Sequence, residues 1–203
     1  GFLYGEGVYE VCRSYYGKVF LLDRHLARLR KSASFIALPV PFGDDGFSAR
    51  IEDTMKAASL SPWTPGGPDA YIRILLTRGI GELTYDLKAT PNASVVIIVK
   101  PQIDPAAEVY EKGVRVVIVD IVRNHPATVN PMIKSNNLMN SALAMQQALR
   151  SNAFEGVMRN YKGQLTECTT ANLFIVQNNV ALTPPLDAGL LPGITREFVF
   201  DIG

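Results

Sequence analysis

Asn130-Pro131-Met132-Ile133-Lys134-Ser135-Asn136-Asn137-Leu138 is the stretch from which the fold and the chemistry of this chain are best read. Lys134 follows apolar residues and precedes a predicted helix over 137–150, in which apolar side chains recur at helical spacing. A lysine in a poorly solvated site gives up its charge more readily and becomes a usable amine nucleophile. The alternative is an ordinary solvated lysine at a helix start, because charged side chains are usually exposed.

The composition of the whole chain excludes several classes of protein. The 203 residues carry a formal net charge of +1, and 47% of them are hydrophobic. A nucleic-acid-binding protein usually shows a basic excess, and a disordered chain shows low hydrophobicity or high net charge. No apolar run reaches the length of a membrane span. Cys12 and Cys168 are too few for a disulfide framework, which favours a reducing, cytoplasmic setting.

Upstream and downstream of Lys134 the pattern predicts strands and helices in runs, without regular alternation, and therefore an α+β fold. Helices are predicted from a cap at Asp23 to Phe35 and around 48–59. Three apolar strands, expected to be buried on both faces, are predicted over 70–77, 93–99 and 114–119. Hairpin strands are predicted over 8–13, 19–22, 156–159, 164–166 and 172–176.

The proline-containing segment 101–105 is a plausible linker, so we expect a small N-terminal α+β domain over 1–104 and a larger domain over 105–203. The sequence begins directly before a strand pattern. It stops about two turns into a helix that Thr195 is expected to cap. We therefore expect both domains to be truncated, the first at its start and the second at its C-terminal part.

Glu167 precedes the run Cys168-Thr169-Thr170-Ala171-Asn172. A carboxylate beside small hydroxyl residues could bind a cationic ring nitrogen or a metal ion. The alternative is a surface glutamate at a strand end. The segment lacks the histidine and cysteine spacing of a metal site, and no metal is expected.

Two further segments have the chemistry of a phosphate site. Arg28 lies on a predicted helix, and arginine binds phosphate through two parallel hydrogen bonds. Gly193-Ile194-Thr195 begins a helix, where free backbone N–H groups and the helix dipole favour an anion. A solvated basic helix face and simple helix capping are the respective alternatives.

These segments, taken together and in order, resemble one family across nearly all 203 residues. The chain looks like a class IV (fold-type IV) pyridoxal-phosphate aminotransferase, the group that holds branched-chain and D-amino-acid aminotransferases and aminodeoxychorismate lyase. The matching segments are Tyr4-Gly5-Glu6-Gly7-Val8-Tyr9-Glu10, His25-Leu26-Ala27-Arg28-Leu29, Tyr71-Ile72-Arg73, Ile133-Lys134-Ser135-Asn136-Asn137, Glu167 through Phe174, and Leu191-Pro192-Gly193-Ile194-Thr195-Arg196.

The resemblance implies a two-domain, D-amino-acid-aminotransferase-like fold and the cofactor pyridoxal 5'-phosphate. It implies that Lys134 is catalytic and holds the cofactor as a Schiff base, and that Glu167 pairs with the pyridine nitrogen. It implies that Leu191 packs on the cofactor ring. The expected phosphate ligands are Arg28, the backbone amides of Ile194 and Thr195, and the Thr195 hydroxyl. A homodimer with small-molecule substrates is expected, with no nucleic acid or membrane partner.

The resemblance also suggests a substrate class. Tyr71 and Arg73 match residues that branched-chain enzymes use near the substrate carboxylate, and Tyr9 matches an aromatic side chain of the pocket. The carboxylate-binding arginine and histidine of bacterial D-amino-acid enzymes would fall near Leu83 and Tyr85, so that feature is absent. We therefore expect ping-pong transamination between a branched-chain L-amino acid and 2-oxoglutarate. A D-amino-acid aminotransferase, an aminodeoxychorismate lyase and a non-catalytic relative or fragment remain alternatives.

Overall fold

The computed structural model describes residues 1 and 3–203 and divides the chain into two compact units. The first unit comprises 1–104 together with the short segment 134–136. The second comprises 105–133 and 137–203. Both units mix strands with helices, as the α+β prediction requires. Lys134 therefore belongs to the first unit, although the chain on both sides of its segment belongs to the second.

The first unit is built on a four-stranded antiparallel sheet with the strand order β2-β1-β3-β4. The strands are β1 (Gly7–Tyr15), β2 (Lys18–Val19), β3 (Ala70–Thr77) and β4 (Ser94–Pro101). Side chains alternate between the two faces of a strand, and in β3 every second residue is buried. One face of this sheet is therefore committed to the core, and the other remains accessible.

Two helices contact this sheet, α1 (Leu22–Phe35) at β1 and α2 (Asp44–Ala57) at β4. The buried residues of α1 and α2 recur every three or four positions, which is the spacing of one helix face. The resulting core includes Leu26, Leu29, Phe47, Ile51, Met55, Ile72, Ile74 and Leu76.

The second unit contains a three-stranded sheet, a separate hairpin and three helices. In the sheet, β5 (Val116–Ile118) runs parallel to β6 (Glu155–Arg159), which pairs antiparallel with β7 (Leu165–Cys168). The hairpin joins β8 (Ile175–Gln177) to β9 (Val180–Leu182) through Asn178 and Asn179, both at positive φ. The helices are α3 (Ala107–Lys112), α4 (Met139–Arg150) and α5 (Ile194–Ile202).

The core of the second unit lies between α4 and the sheet. It is formed by Val119, Ala144, Ala148, Ala153 and Met158. Gly156 permits a close approach there, because an added Cβ would lie 3.0 Å from Val119 and 3.3 Å from Ala148. Among the described residues, no helix is long and apolar enough to cross a membrane.

Three details of the predicted elements are wrong. The apolar strands are not buried on both faces, since Val96 and Ile98 of β4 and Val116 and Ile118 of β5 are about half exposed. Asp23 lies in the first turn of α1, whereas its N-cap is Leu21 in a left-handed conformation. Likewise, the N-cap position of α5 is Gly193 rather than Thr195. Apolar composition shows which side chains of a strand can be buried. Burial of the second face of a sheet also requires another layer of helices or strands packed against it.

Candidate functional site

Lys134 is held by backbone hydrogen bonds against the first strand of the sheet. The Tyr9 N–H donates to the Lys134 carbonyl at 2.9 Å, and the Asn136 N–H donates to the Gly7 carbonyl at 2.9 Å. The Lys134 N–H donates to the hydroxyl of Ser32, which is buried on α1, at 3.1 Å. A Cβ added at Gly7 would lie 2.5 Å from the Asn136 side-chain nitrogen. The close approach of the lysine segment to β1 therefore depends on this glycine.

The ring of Tyr9 brings the predicted catalytic lysine and a predicted substrate-binding arginine together. Lys134 Nζ lies 4.7 Å from the ring centroid, and the Arg73 guanidinium carbon lies 4.2 Å from it. Tyr9 and Arg73 share the face of the sheet opposite the core, because both alternate with buried residues. Burial raises the pKa of the Tyr9 phenol, although Arg73 opposes the shift, so the ring stays neutral at physiological pH.

Tyr71, the third predicted substrate residue, lies two positions before Arg73 on the same face of β3. Its ring contacts a different cation, since Lys100 Nζ of the paired position on β4 lies 4.9 Å from the ring centroid. Leu83 and Tyr85 are largely exposed, and the Tyr85 ring lies 5.1 Å from that of Tyr4. They border a cavity of about 190 Å³ in the first unit.

Arg28 lies in a buried cluster with Glu10 and His25. Its Nε and Nη2 atoms donate to the two carboxylate oxygens of Glu10, both at 2.7 Å, and the Glu10 side chain is fully buried. His25 Nδ1 lies 2.7 Å from Glu10 Oε2. Burial alone raises the Glu10 pKa, but the hydrogen bonds and charges of Arg28 and His25 outweigh it and lower the pKa below its ordinary value of 4.5. The guanidinium is therefore fixed at a defined place on α1.

Glu167, on β7 of the second unit, is also half of a buried ion pair. Its Oε1 atom accepts a hydrogen bond from Arg123 Nε at 2.8 Å, and the two side chains are 8% and 13% exposed. Its Oε2 atom accepts from the Leu191 backbone N–H at 3.1 Å and from Asn172 Nδ2 at 3.2 Å. Asn172 also donates to the Leu191 carbonyl at 3.0 Å. These bonds tie Glu167 to the loop that leads into α5.

The loop before α5 and the first turn of α5 contain three more predicted residues, of which Leu191 is hydrogen-bonded to Glu167. Helix α5 starts at Ile194, and its N-cap Gly193 supplies no side chain to the free N–H groups of the first turn. A Cβ at Gly193 would lie 1.9 Å from Asn172 Oδ1, so only glycine fits at this position. Ile194 is buried and Thr195 is exposed. Leu191, Ile194, Thr195 and Glu167 thus lie in one neighbourhood of the second unit.

Two charged residues of these clusters were not predicted. Glu10 could have been recognised, because strand alternation places it with the buried residues Val8 and Cys12, where a carboxylate requires partners. Arg123 follows β5 in an irregular segment without periodicity, and the sequence gives no signal for it. The described residues also contain no group of three or more histidine, cysteine or acidic side chains that could hold a metal ion.

Both cysteines are buried, free thiols. Burial raises the pKa of Cys12 to about 12 and that of Cys168 to about 11. Because the thiolate is the reactive form, neither thiol is suited to be a nucleophile at neutral pH. Cys12 belongs to the core of the first unit, where it is 2% exposed.

The fold and these clusters define a two-unit α+β protein with a half-buried lysine segment in one unit and a carboxylate beside a helix N-terminus in the other. Comparison with known proteins gives the family. The model of the amino-transferase class IV family matches residues 7–203, and the chain belongs to this family. The predicted family and fold type are therefore confirmed.

Two curated relatives show the range of the family. The chain is 35% identical over 202 residues to a putative branched-chain-amino-acid aminotransferase of Methanocaldococcus jannaschii, and 31% identical over 202 residues to a D-alanine aminotransferase of Bacillus licheniformis. Each match covers 100% of this chain and 67% of the relative. The 203 residues therefore span about two thirds of these proteins.

Solved structures give the same result. The branched-chain amino acid aminotransferase of Escherichia coli matches with a TM-score of 0.90 and 29% identity, over 98% of this chain and 66% of that one. The branched-chain aminotransferase of the archaeon Thermoproteus uzoniensis, solved with norvaline, matches with a TM-score of 0.86 and 33% identity, over 98% of this chain and 65% of that one. A further branched-chain amino acid aminotransferase, solved with pyridoxamine 5'-phosphate, has a TM-score of 0.87 and 26% identity, over 99% of this chain and 65% of that one.

Proposed function

We propose that this protein is a pyridoxal-phosphate-dependent aminotransferase in which Lys134 carries the cofactor and moves the substrate proton. The observation that carries the proposal is the arrangement at Tyr9, whose ring lies within 5 Å of both Lys134 Nζ and the Arg73 guanidinium. An enzyme that acts on an amino acid needs a reactive amine of its own and a group that binds the substrate carboxylate. Family membership supports the same activity.

The residues of each unit fit the chemistry of pyridoxal phosphate. A buried carboxylate, Glu167, suits a protonated ring nitrogen. Uncapped N–H groups at the start of α5, with the Thr195 hydroxyl, suit a phosphate, as does the Arg28 guanidinium. The bound cofactor supplies an electron sink that stabilises negative charge at the substrate Cα. Leu191, whose N–H bonds to Glu167, is proposed to pack against the cofactor ring.

Lys134 has two proposed tasks. Its Nζ amine would be the group that holds the cofactor covalently. The same amine, when it is not bonded to the cofactor, would take the proton from the substrate Cα as a base and give it back as an acid. The Tyr9 ring beside Nζ limits the positions that the amine can occupy, because its face attracts the charged form.

For the substrate, we propose a branched-chain L-amino acid as amino donor and 2-oxoglutarate as acceptor, used in a ping-pong sequence. Tyr9, Tyr71 and Arg73 share one face of the sheet and would form part of the substrate pocket, with Arg73 near a carboxylate. A second candidate, D-alanine transamination, is favoured by the 31% identity to the Bacillus licheniformis enzyme. We also propose a cytoplasmic homodimer.

The decisive experiment uses the full-length protein with added pyridoxal phosphate. We expect visible absorbance in the wild-type protein and transamination of L-leucine and L-valine. Lys134→Ala should abolish the absorbance and lower turnover by at least about 1,000-fold, because the attachment point and the proton carrier are the same amine. The matched control is Lys162→Ala, at an exposed turn, which should leave both unchanged.

Two results would contradict the proposal at different levels. A wild-type protein that stays colourless and inactive with the cofactor is not an aminotransferase. Rapid turnover of D-alanine without turnover of L-leucine would retain the reaction class and overturn the branched-chain assignment.

A further inference from the structure

The ion pair between Arg123 and Glu167 carries an inference that rests on the proposed function and deepens it. Glu167 is the residue expected to face a cationic ring nitrogen, yet a guanidinium already lies 2.8 Å from one of its oxygens. Within the described residues of the second unit, both carboxylate oxygens accept hydrogen bonds, from three different groups. The position and charge of this carboxylate are thus set by the protein itself.

Arg123 is itself anchored, through both its backbone and its side chain. Its backbone N–H donates to the Arg159 carbonyl at the end of β6 at 2.8 Å. Its Nη1 atom donates to Asn140 Oδ1 in the first turn of α4 at 3.3 Å, and Asn140 Nδ2 donates back to the Val122 carbonyl at 2.8 Å. Since β6 and α4 belong to the packed core of the unit, the guanidinium is held on a rigid support.

The charges suggest what this support does. An opposite charge next to a carboxyl group favours its ionised form, and the effect is strong where water is largely excluded. A carboxylate must be ionised to stabilise a protonated ring nitrogen. A fixed guanidinium supports the ionised form of Glu167 and holds one of its oxygens in place.

We infer that Arg123 is a positioning residue that acts on the cofactor through Glu167, holding this carboxylate in place and partly balancing its charge. Arg123 is not assigned a contact with substrate or cofactor. Its effect is therefore expected to require Glu167, which a general role in folding would not.

A double-mutant cycle on the full-length protein tests this dependence. The variants are Arg123→Gln, Glu167→Gln and the double variant, and the main measurement is the pyridoxal phosphate dissociation constant from a visible absorbance titration. We expect R123Q to weaken cofactor binding and lower kcat by roughly 10- to 100-fold, with KM for the amino donor nearly unchanged. The double variant should bind cofactor no more weakly than E167Q.

Further variants keep the test decisive. Arg123→Lys retains the charge without the planar fork and should restore part of the affinity. If R123Q does not fold, as judged by thermal unfolding without cofactor, R123K takes its place in the cycle. Arg150→Gln, at an exposed arginine of the same unit, is the matched control and should bind cofactor as the wild type does.

The failures are distinguishable. A wild-type protein that does not bind pyridoxal phosphate overturns the proposed function and this inference together. A wild-type protein that binds, combined with an R123Q effect that is absent or that adds fully to the E167Q effect, overturns the inference alone.

Discussion

Each unit contains a buried arginine–glutamate pair, Arg28–Glu10 in the first and Arg123–Glu167 in the second, and these two pairs are constructed in opposite ways. In the first unit, Glu10 is fully buried and two partners hold it, Arg28 and His25. The arginine is the residue expected to reach a ligand. In the second unit, Glu167 is the residue expected to reach a ligand, and Arg123 is the partner that forms an ion pair with it. The same chemical pair thus serves once to position a cation and once to position an anion.

The comparison shows that an ion pair alone does not reveal which partner is functional. What separates the two cases is the surroundings. Glu10 lies on the core face of β1, where a ligand has no access, whereas Glu167 is hydrogen-bonded to the loop that starts α5. Breaking each pair should therefore affect different properties of the protein.

The largest expected effect is that of Glu10→Gln on stability. The substitution leaves the Arg28 cation and His25 without their buried carboxylate, and breaking such a pair costs about 3–5 kcal/mol. The fluorescence of Trp63, the single tryptophan, reports on unfolding of the first unit in a urea titration. The control Glu52→Gln, at a half-exposed pair with Lys56, should change stability by less than about 0.5 kcal/mol. An equal effect of both variants would show that Glu10 is not a structural anchor.

A smaller, pH-dependent effect follows from the lowered pKa of Glu10. A carboxyl group whose pKa is lower in the folded state contributes stability above its unfolded pKa, and this contribution is lost as pH falls through the folded pKa. The stability difference between wild type and E10Q should therefore be full at pH 7 and shrink below about pH 4.5. Urea titrations at several pH values measure it. A difference that grows on acidification would show that the Glu10 pKa is raised instead.

The smallest effect is expected at Tyr9. Tyr9→Leu removes the ring face that lies beside Lys134 and Arg73, and a cation–π contact contributes about 0.5–2 kcal/mol. We expect roughly a tenfold loss of kcat/KM for transamination. Tyr9→Phe keeps the ring and should stay within about threefold of wild type, with an unchanged pH profile, because the phenol pKa is raised. A large loss in Y9F would assign a role to the hydroxyl instead.

The sequence predicted those elements whose patterns are local. The strand β3 and the helix α1 were located closely, since an apolar run and helical spacing are visible over 8 and 14 residues, respectively. The prediction failed where the burial of a side chain depends on residues that are distant in the sequence. Val96 and Ile98 look like core residues in the sequence but lie on an open face.

The candidate site also has a part that was predicted from the sequence and a part that was not. The resemblance named Lys134, Arg28 and Glu167, but their assigned roles remain predictions, and so do those of Tyr9, Tyr71, Arg73, Leu191, Ile194 and Thr195. It did not reveal the partners of the charged residues. Arg123 was missed because it lies in an irregular segment, where side-chain direction depends on contacts distant in sequence. The bond from its backbone to Arg159 is one such contact.

The attachment of Lys134 to the first unit has a consequence for the order of folding. The Ser32–Lys134 contact joins residues 102 positions apart, and the bridge from Val8 to Ser135 spans still more of the chain. Contacts of such separation form late, because a long loop must close before they stabilise anything. During synthesis, β1 cannot acquire this partner until residue 136 has emerged. The proposed reactive amine is therefore fixed among the last parts of its unit, when most of that unit has already been made.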